Sequence, residues 1–173
     1  MLNNKNYSYI VINCNAGLRL LWPAIEMVKE DMERLIAQCR QRFREHDLSV
    51  TPQRLAIYEE LLKSKDHPYS EDVFERVRKT FPDISLDTVY RTLTTFAKIG
   101  LVHVVEGYGE AKRYDPDISR HHHFRCRVCN KIIDFHDDNF DKLKAPRTFK
   151  KNFRISNIKV VLEGVCDKCS EER

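Results

Sequence analysis

Several features that would assign this chain of 173 residues to other protein classes are missing from it. No long uncharged apolar run is present, and the start lacks the basic, apolar and small-residue pattern of a secretory signal, so we expect neither a membrane span nor a leader. Internal repeats and low-complexity tracts are absent, which excludes repeat architectures. A strong excess of positive or negative charge is also missing. Residues 32–115 carry 14 Lys or Arg against 14 Asp or Glu, so the net charge of +4 does not by itself establish nucleic-acid binding.

Cysteine is sparse outside two tight pairs. Charged residues make up 32% and hydrophobic residues 42%, which is typical of a soluble globular protein with one domain or two small ones. Cys14 and Cys39 lie apart from the pairs and are interpreted as free thiols. Free thiols beside a thiolate–metal site favour a reducing compartment, so we expect a cytoplasmic protein.

The two cysteine pairs are the strongest motif. Cys126 and Cys129 form one C-x-x-C pair, and Cys166 and Cys169 form the other. Four thiolates are the complete tetrahedral set of a structural Zn²⁺, one per chain, with no open position for catalysis. Two disulfides, or one thioredoxin-like redox pair, are the alternatives, but cysteines concentrated in two tight pairs favour the metal. The 36 residues between the pairs have room for a strand, a helix and a second strand.

The first two thirds of the chain have helical periodicity followed by a hairpin pattern. Thr51-Pro52 is the start signal of one helix, Ser85 or Asp87 starts another, and Gly100 is a stop signal. Two short apolar runs flank a glycine-bearing turn with Tyr108 at its tip, which predicts a β-hairpin. The predicted helices are 32–46, one beginning at Thr51, 70–81 with Ser70 as its cap, and 85–100. Helices followed by a hairpin are typical of a winged helix-turn-helix.

The remaining third predicts a second, smaller domain. A turn-rich segment follows Asp115, and beyond it 123–135 and 153–164 have strand patterns, whereas 139–150 is helical and shortened by Pro146. The predicted fold is therefore α+β, with a small C-terminal α/β domain stapled by a zinc ion on four cysteines. The predicted divisions are 1–31, a poorly ordered extension; 32–115, the winged helix; 116–120, a hinge; and 121–173, the second domain.

The fourth helix offers hydrogen-bond donors on its polar side. A recognition helix needs such donors for base edges and phosphates, although an ordinary solvated face is the alternative. The hairpin after it adds two basic side chains. The predicted DNA-contacting residues are Arg54, Ser85, Thr88, Tyr90, Arg91, Thr92, Lys112 and Arg113.

A histidine run precedes the first cysteine pair. On a strand, His121 and His123 project to the same side while His122 faces away, so the outer two can bind one ion. The alternatives are a solvated surface run and a part of a zinc site shared with the first cysteine pair. Asp115, Asp134 and His136 are close in sequence, which favours a separate metal site.

The motifs TPQRLAIYEEL, DTVYRTL, RYD, HHHFRCRVC, IIDF and CDKC, in this order, resemble the ferric uptake regulator family of metal-sensing repressors across residues 32–170. The resemblance implies a winged-helix DNA-binding domain, a zinc-stapled dimerisation domain and a regulatory metal at the hinge. It also implies a homodimer bound to a palindromic double-stranded DNA operator.

The same resemblance implies which residues hold the regulatory metal. They match the hinge site of the family's peroxide-sensing members, an N/O set suited to Fe²⁺, Mn²⁺ or Zn²⁺: His67, Asp115, His121, His123 and Asp134. Asp134 stands where iron-uptake members typically carry Glu, which is similar to the peroxide-sensing branch. Ile158 stands where many members have a His of an additional site, so we expect that site to be absent. Arg91 instead resembles the iron- and zinc-responsive branches.

We therefore expect a metal-dependent repressor that responds to peroxide through metal-catalysed oxidation of a hinge histidine, His121 or His67. An iron- or zinc-responsive uptake repressor of the same family, without peroxide sensing, is the alternative. An enzyme that uses the His/Asp cluster is disfavoured, because the sequence offers no nucleophile–base pair. An enzyme would also leave the basic helix and the wing unexplained. A zinc-ribbon interaction module without DNA binding is the third alternative.

Overall fold

The computed structural model of the protein describes residues 22–106, 111–150, 153–155 and 158–171. Four helices and a hairpin come first, and a three-stranded sheet with short helices follows. The elements are α1 (Trp22–Glu45), α2 (Pro52–Lys63), α3 (Ser70–Val77), α4 (Leu86–Lys98), β1 (His103–Glu106), β2 (Lys112–Asp115), β3 (His122–Cys126), β4 (Ile132–Phe135), α5 (Asp138–Asp141), α6 (Arg147–Lys150), β5 (Val161–Gly164) and α7 (Asp167–Glu171). This is the predicted α+β class.

Local start and stop signals set the ends of the helices that carry the candidate DNA surface. The Thr51 side chain caps α2 by accepting a hydrogen bond from a backbone N–H in the first turn. Ser85 caps α4 in the same way, accepting from the backbone N–H of Thr88 at 3.1 Å. Gly100 follows α4 with φ of 71°, the left-handed conformation that commonly ends a helix.

The helices and the hairpin bury one continuous apolar core. Side chains from all four helices and from β2 have no exposed surface at its centre: Cys39, Phe43, Ile57, Leu61, Val73, Val89, Leu93, Phe96 and Tyr114. The rings of Phe43 and Tyr58 pack on Phe96, with centroids 5.7 and 5.8 Å away. This core holds α4 by one face and leaves the opposite face in solvent.

Strand pairing determines where the candidate metal ligands lie. In the hairpin, β1 and β2 are antiparallel with His103 opposite Asp115. The C-terminal sheet has the order β4-β3-β5, in which β3 is antiparallel to β4 and parallel to β5. The first of these registers places His123 directly opposite Asp134. Residues opposite each other in antiparallel strands have side chains on the same face, so this pair is brought together by the sheet itself.

Four predicted elements have different bounds in the structure. The first helix begins at Trp22 instead of Met32, so part of the predicted extension is helical. The third is capped at Tyr69 and ends at Val77. The helix predicted over 139–150 is two short helices, because proline disfavours helical geometry in the residue before it and α6 starts only after Pro146. Within the described part of 153–164 the strand covers only 161–164, the length that pairs with β3.

Two predicted features, the hairpin tip at Tyr108 and the free thiol Cys14, lie outside the described residues. Among the described helices, none is long and apolar enough to cross a lipid bilayer.

Candidate metal centre

The four paired cysteines converge at one end of the C-terminal sheet. Cys126 ends β3, and the first residue of the second pair, Cys166, precedes α7. The four sulfur atoms all lie within 4.8 Å of one another, and the Cys129 and Cys166 sulfurs are 3.7 Å apart. Four sulfurs at about 2.3 Å from one zinc would be about 3.8 Å apart along each tetrahedral edge. All four are free thiols rather than disulfides. The cluster fits a structural zinc.

The pKa values of these thiols indicate that all four can be thiolates only when a cation is bound. Backbone N–H groups of Cys129 and Cys166 donate to the Cys126 sulfur and lower the pKa of that thiol to about 6. Contacts with the Cys166 and Cys129 sulfurs raise the pKa of Cys169 to about 12. Several adjacent sulfurs cannot all ionise without a compensating positive charge, which a bound zinc supplies.

A second cluster lies where the hairpin meets the C-terminal sheet. The ligand atoms of His67, Asp115, His121, His123 and Asp134 all lie within 4.8 Å of one another. His67 comes from the loop between α2 and α3, and Asp115 from the end of β2. The other three come from β3, the residue before it, and β4. The structure thus brings together all five residues that the sequence resemblance implies.

The distances between the carboxylate and imidazole atoms of this cluster are short. The Asp115 Oδ2 atom is 2.8 Å from His121 Nε2, 3.5 Å from His123 Nε2 and 3.7 Å from His67 Nε2. The Asp134 Oδ1 atom is 2.9 Å from His67 Nε2 and 3.4 Å from His123 Nε2. His121 Nε2 and His123 Nε2 are 3.0 Å apart. The five ligand atoms therefore surround one small volume.

The carboxylates control the charge of the histidines in this cluster. Burial opposes the charge on His67, but contacts with Asp115 and Asp134 outweigh it and raise the pKa of His67 to about 9. The contact with Asp115 raises the pKa of His121 to about 9, against the effect of burial. Burial alone would raise the pKa of Asp115, but its three histidine neighbours bring it well below its usual range. The site is therefore built to hold positive charge, either as protons or as a metal ion.

Unsatisfied polar atoms show which kind of charge fits. His67 Nε2 and Asp115 Oδ2 are buried and make no well-directed hydrogen bond, although carboxylate or imidazole atoms lie close to both. Buried polar atoms in proteins normally have directed partners. Atoms that approach closely without being aimed at one another fit ligands that share a central cation. Three imidazoles and two carboxylates form an N/O donor set suited to Fe²⁺, Mn²⁺ or Zn²⁺.

The polar face of α4 borders a groove of about 610 Å³ between this helix and the start of α2. Thr88, Arg91 and Thr92 line it. Tyr90 is 45% exposed on α4, and Ser85 is exposed at the cap position before the helix. Arg91 is 3.8 Å from Asp87, and both side chains are mostly in solvent, so this ion pair is weak. Arg91 is therefore available to an anionic ligand.

Three of the predicted DNA-contacting residues, Arg54, Ser85 and Thr88, form hydrogen bonds within the protein. The Arg54 side chain also lines the groove, but it donates to the Ser49 carbonyl oxygen at 2.5 Å and lies over the Phe43 ring. Ser85 and Thr88 share a side-chain hydrogen bond of 2.8 Å at the helix start. Lys112 is exposed on β2.

Two of the predicted DNA-contacting side chains, Thr92 and Arg113, are largely buried. Thr92 is only 7% exposed, because it lies three residues after the buried Val89 and four before the buried Phe96 on α4, but it lines the α4 groove beside Arg91. Arg113 is 9% exposed, and its guanidinium donates to backbone carbonyls inside the protein instead of pointing outward. Thr92 therefore borders the candidate DNA surface, whereas the Arg113 guanidinium is directed into the protein.

Comparison with known proteins assigns the chain. The sequence profile of the Ferric uptake regulator family matches residues 45–163. The chain belongs to the ferric uptake regulator family. It is 34% identical over 138 residues to the peroxide operon regulator of Bacillus subtilis, covering 79% of this chain and 94% of that protein. It is 30% identical over 148 residues to the peroxide-responsive repressor PerR of Staphylococcus epidermidis, covering 86% and 96%.

The solved structures agree on the fold. The Helicobacter pylori ferric uptake regulator Fur superposes with a TM-score of 0.68 at 23% identity, covering 80% of this chain and 93% of that one. Members of the ferric uptake regulator family are metal-responsive transcriptional regulators. In this member, the α4 groove and the two clusters are accordingly the candidate DNA-binding and metal-binding features.

Two residues of this family member have surroundings that the sequence-based prediction did not include. Gln53 lines the α4 groove together with Arg91, but it has no sequence signal beyond its position on a helix. His122 is buried against the rings of Phe135 and Phe140, with its Nε2 atom 3.3 Å from Asp141. Strand alternation predicted that His122 faces away from the candidate ligands, but not that residues of β4 and α5 would surround it.

Proposed function

We propose that this chain is a homodimeric repressor whose affinity for operator DNA depends on a metal ion held by His67, Asp115, His121, His123 and Asp134. One observation carries this proposal. His67 and Asp115 belong to the winged-helix part of the chain and the other three to the C-terminal sheet, yet their ligand atoms converge within 4.8 Å. An ion that needs ligands from both parts binds best when the two parts are close together.

Ion binding would therefore shift the population toward one arrangement of the two α4 helices in a dimer. Converting a mostly open population into a mostly closed one requires about 5.5 kcal/mol of differential binding. A site whose ligands come together only in the closed arrangement can supply this, because the open arrangement offers an incomplete set.

The C-terminal sheet supports the dimer part of the proposal. The edge strand β5 exposes Val161 and Leu162, which are 48% and 42% exposed, and Val165 follows them. Exposed apolar side chains on a sheet edge are typical of an interface. The zinc on the four cysteines would hold this sheet together, since the cysteines join β3 to the segment after β5. A two-fold dimer would present two α4 helices to a palindromic double-stranded operator.

The peroxide response rests on the ligand set and on the relatives. Five protein ligands leave one position of an octahedral ion free, and two relatives carry names that state a peroxide response or a peroxide operon. Fe²⁺, when bound, supplies the redox chemistry that makes the site reactive toward peroxide. The oxidised group would be the imidazole of His121 or His67. One peroxide oxygen would be added to the ring and the other would leave as water, a two-electron exchange in total. An oxidised imidazole is a poorer ligand, so it would release the closed arrangement.

Two measurements on the same samples test this function. Operator binding is measured with Fe²⁺ or Mn²⁺ before and after a sub-stoichiometric amount of peroxide, and peptide mass spectrometry locates any added oxygen. We expect both ions to support DNA binding, and only the iron form to lose it and to gain one oxygen on His121 or His67. His136 is an internal control, because its ring lies 6.2 Å from that of His121 but is not part of the cluster.

The other outcomes are informative. Oxygen confined to the cysteines would indicate a thiol switch and contradict the hinge mechanism. Metal-dependent DNA binding without any oxidation would favour an iron- or zinc-responsive uptake repressor. DNA binding that ignores both metals would refute the proposed function.

A further inference from the structure

Arg113 connects three backbone segments around the hinge cluster, the name used here for the five candidate ligands His67, Asp115, His121, His123 and Asp134. It lies on β2, and its guanidinium turns into the protein. The Nε atom donates to the His67 carbonyl oxygen at 2.5 Å, and Nη2 donates to the Asp66 carbonyl oxygen. Nη1 donates to the Asn130 carbonyl oxygen at 2.6 Å. The first two acceptors belong to the loop that carries a candidate metal ligand, and the third belongs to the C-terminal domain.

Two of these three acceptors have an uncommon backbone conformation. His67 has φ of 50° and Asn130 has φ of 58°, and these are two of the three non-glycine residues with positive φ in the described part of the chain. Positive φ is sterically unfavourable for residues with a side chain and persists where the surrounding structure holds it. A charged donor on each carbonyl oxygen is such a restraint.

The same loop is fixed to β2 by further contacts. The Tyr114 backbone N–H donates to the Pro68 carbonyl oxygen at 3.1 Å. The Arg113 guanidinium lies 4.9 Å from the centre of the Tyr69 ring. Asp115, the carboxylate closest to His121, follows two residues after Arg113 on the strand. β2 therefore supplies one candidate ligand and holds the loop that supplies another.

The third bond reaches the zinc cluster. Asn130 directly follows Cys129, and its own N–H donates to the Cys126 carbonyl oxygen at 3.0 Å within the C-x-x-C turn. One guanidinium thus connects the turn that carries two sulfur ligands with the loop that carries His67.

We propose that Arg113 is a positioning residue for the hinge metal: it holds the His67 loop in the conformation that directs the imidazole into the cluster, and ties that loop to the zinc-bearing turn. This rests on the proposed function in one respect, that the five-residue cluster binds a metal. Lysine cannot take the place of Arg113, because one ammonium group cannot match three carbonyls spread around a planar fork.

A double-mutant cycle tests the role of Arg113. The affinity for Mn²⁺ is measured by competition with a chromogenic chelator for the full-length, zinc-loaded protein, Arg113→Ala, His67→Ala and the double variant. We expect Arg113→Ala to weaken Mn²⁺ binding by about 10- to 100-fold, the usual cost of removing a group that orients a ligand. In the His67→Ala background the same change should add only about twofold, because its target is already missing.

Two more variants separate positioning from general damage. Arg113→Lys should not restore the affinity. Arg78→Ala removes another arginine that lies over an aromatic ring, 5.5 Å from the Phe74 centroid, but on an exposed surface, and should leave Mn²⁺ affinity unchanged. Zinc content and thermal unfolding are measured for every variant. If Arg113→Ala loses its zinc, Arg113→Gln replaces it in the cycle, because it retains an amide donor.

The possible results separate the two proposals. If His67→Ala leaves Mn²⁺ affinity unchanged, the proposed metal site is wrong. If His67→Ala weakens binding but neither Arg113→Ala nor Arg113→Gln does so, only the role of Arg113 is refuted. Equal losses in the presence and absence of His67, or full rescue by lysine, would also overturn it.

Discussion

Metal binding at the hinge cluster should depend steeply on pH. Without metal, the carboxylates raise the pKa values of His67 and His121 from 6.5 to about 9. Both imidazoles therefore hold protons at neutral pH, and a metal ion must displace them before it can bind. The pKa of Asp115 is lowered far below neutral, so this carboxylate contributes no proton.

The sign of the effect differs between stability and metal affinity. A histidine whose pKa is raised on folding stabilises the metal-free protein fully below pH 6.5, and this contribution is lost as the pH rises through about 9. Metal affinity should increase over the same range. Each displaced proton contributes about tenfold per pH unit, so two protons predict about a 100-fold increase in Mn²⁺ affinity between about pH 7 and 8.

Calorimetry measures the protons directly. Titration of Mn²⁺ into zinc-loaded protein, in two buffers with different ionisation enthalpies, gives the number of protons released per ion. We expect about two at neutral pH for the unchanged protein and about one for His67→Ala, which removes one of the two protonated groups. Proton release near zero, or equal release from both proteins, would refute the inference that carboxylates keep these histidines charged.

Two other predictions concern the zinc cluster and the α4 groove. Cys126→Ser or Cys166→Ser should lose zinc and weaken or abolish dimerisation, because a structural site contributes folding free energy directly; a variant that keeps one zinc per chain and remains dimeric would contradict the four-cysteine assignment. Arg91→Ala should leave the fold intact and reduce operator affinity by about 1–3 kcal/mol in a base-dependent way if Arg91 contacts a guanine. Gel shifts on operator variants check this, since a uniform loss would indicate a phosphate contact and no loss would place the DNA surface elsewhere.

Features that depend on neighbouring residues were predictable from the sequence. The caps at Thr51 and Ser85 and the stop at Gly100 act through local backbone geometry, and the structure confirms all three. The first helix shows the limit of local reasoning. A stripe of apolar side chains locates the buried part of a helix, but α1 starts at Trp22, ten residues before the stripe begins to repeat.

Side-chain direction was harder to predict than element type. Thr92 is polar and suited to DNA contact by composition, and it lines the α4 groove, but its position between Val89 and Phe96 on the helical repeat leaves it only 7% exposed. Arg113 looks like an exposed basic residue of a wing because its neighbour Lys112 is one. Its guanidinium instead donates to three backbone carbonyls inside the protein, at positions 66, 67 and 130.

By itself, the sequence determined the α+β class, the family and the set of four zinc-binding cysteines, because these depend on motifs, periodicity and spacing within short segments. The family resemblance, which rests on motifs in the sequence, also implied the five candidate ligands at the hinge, His67 and Asp134 among them. Only the tertiary structure brought a loop after α2 and a strand 67 residues further along the chain to within 2.9 Å. It also decided which polar groups were buried, because desolvation and charge depend on every segment packed around them.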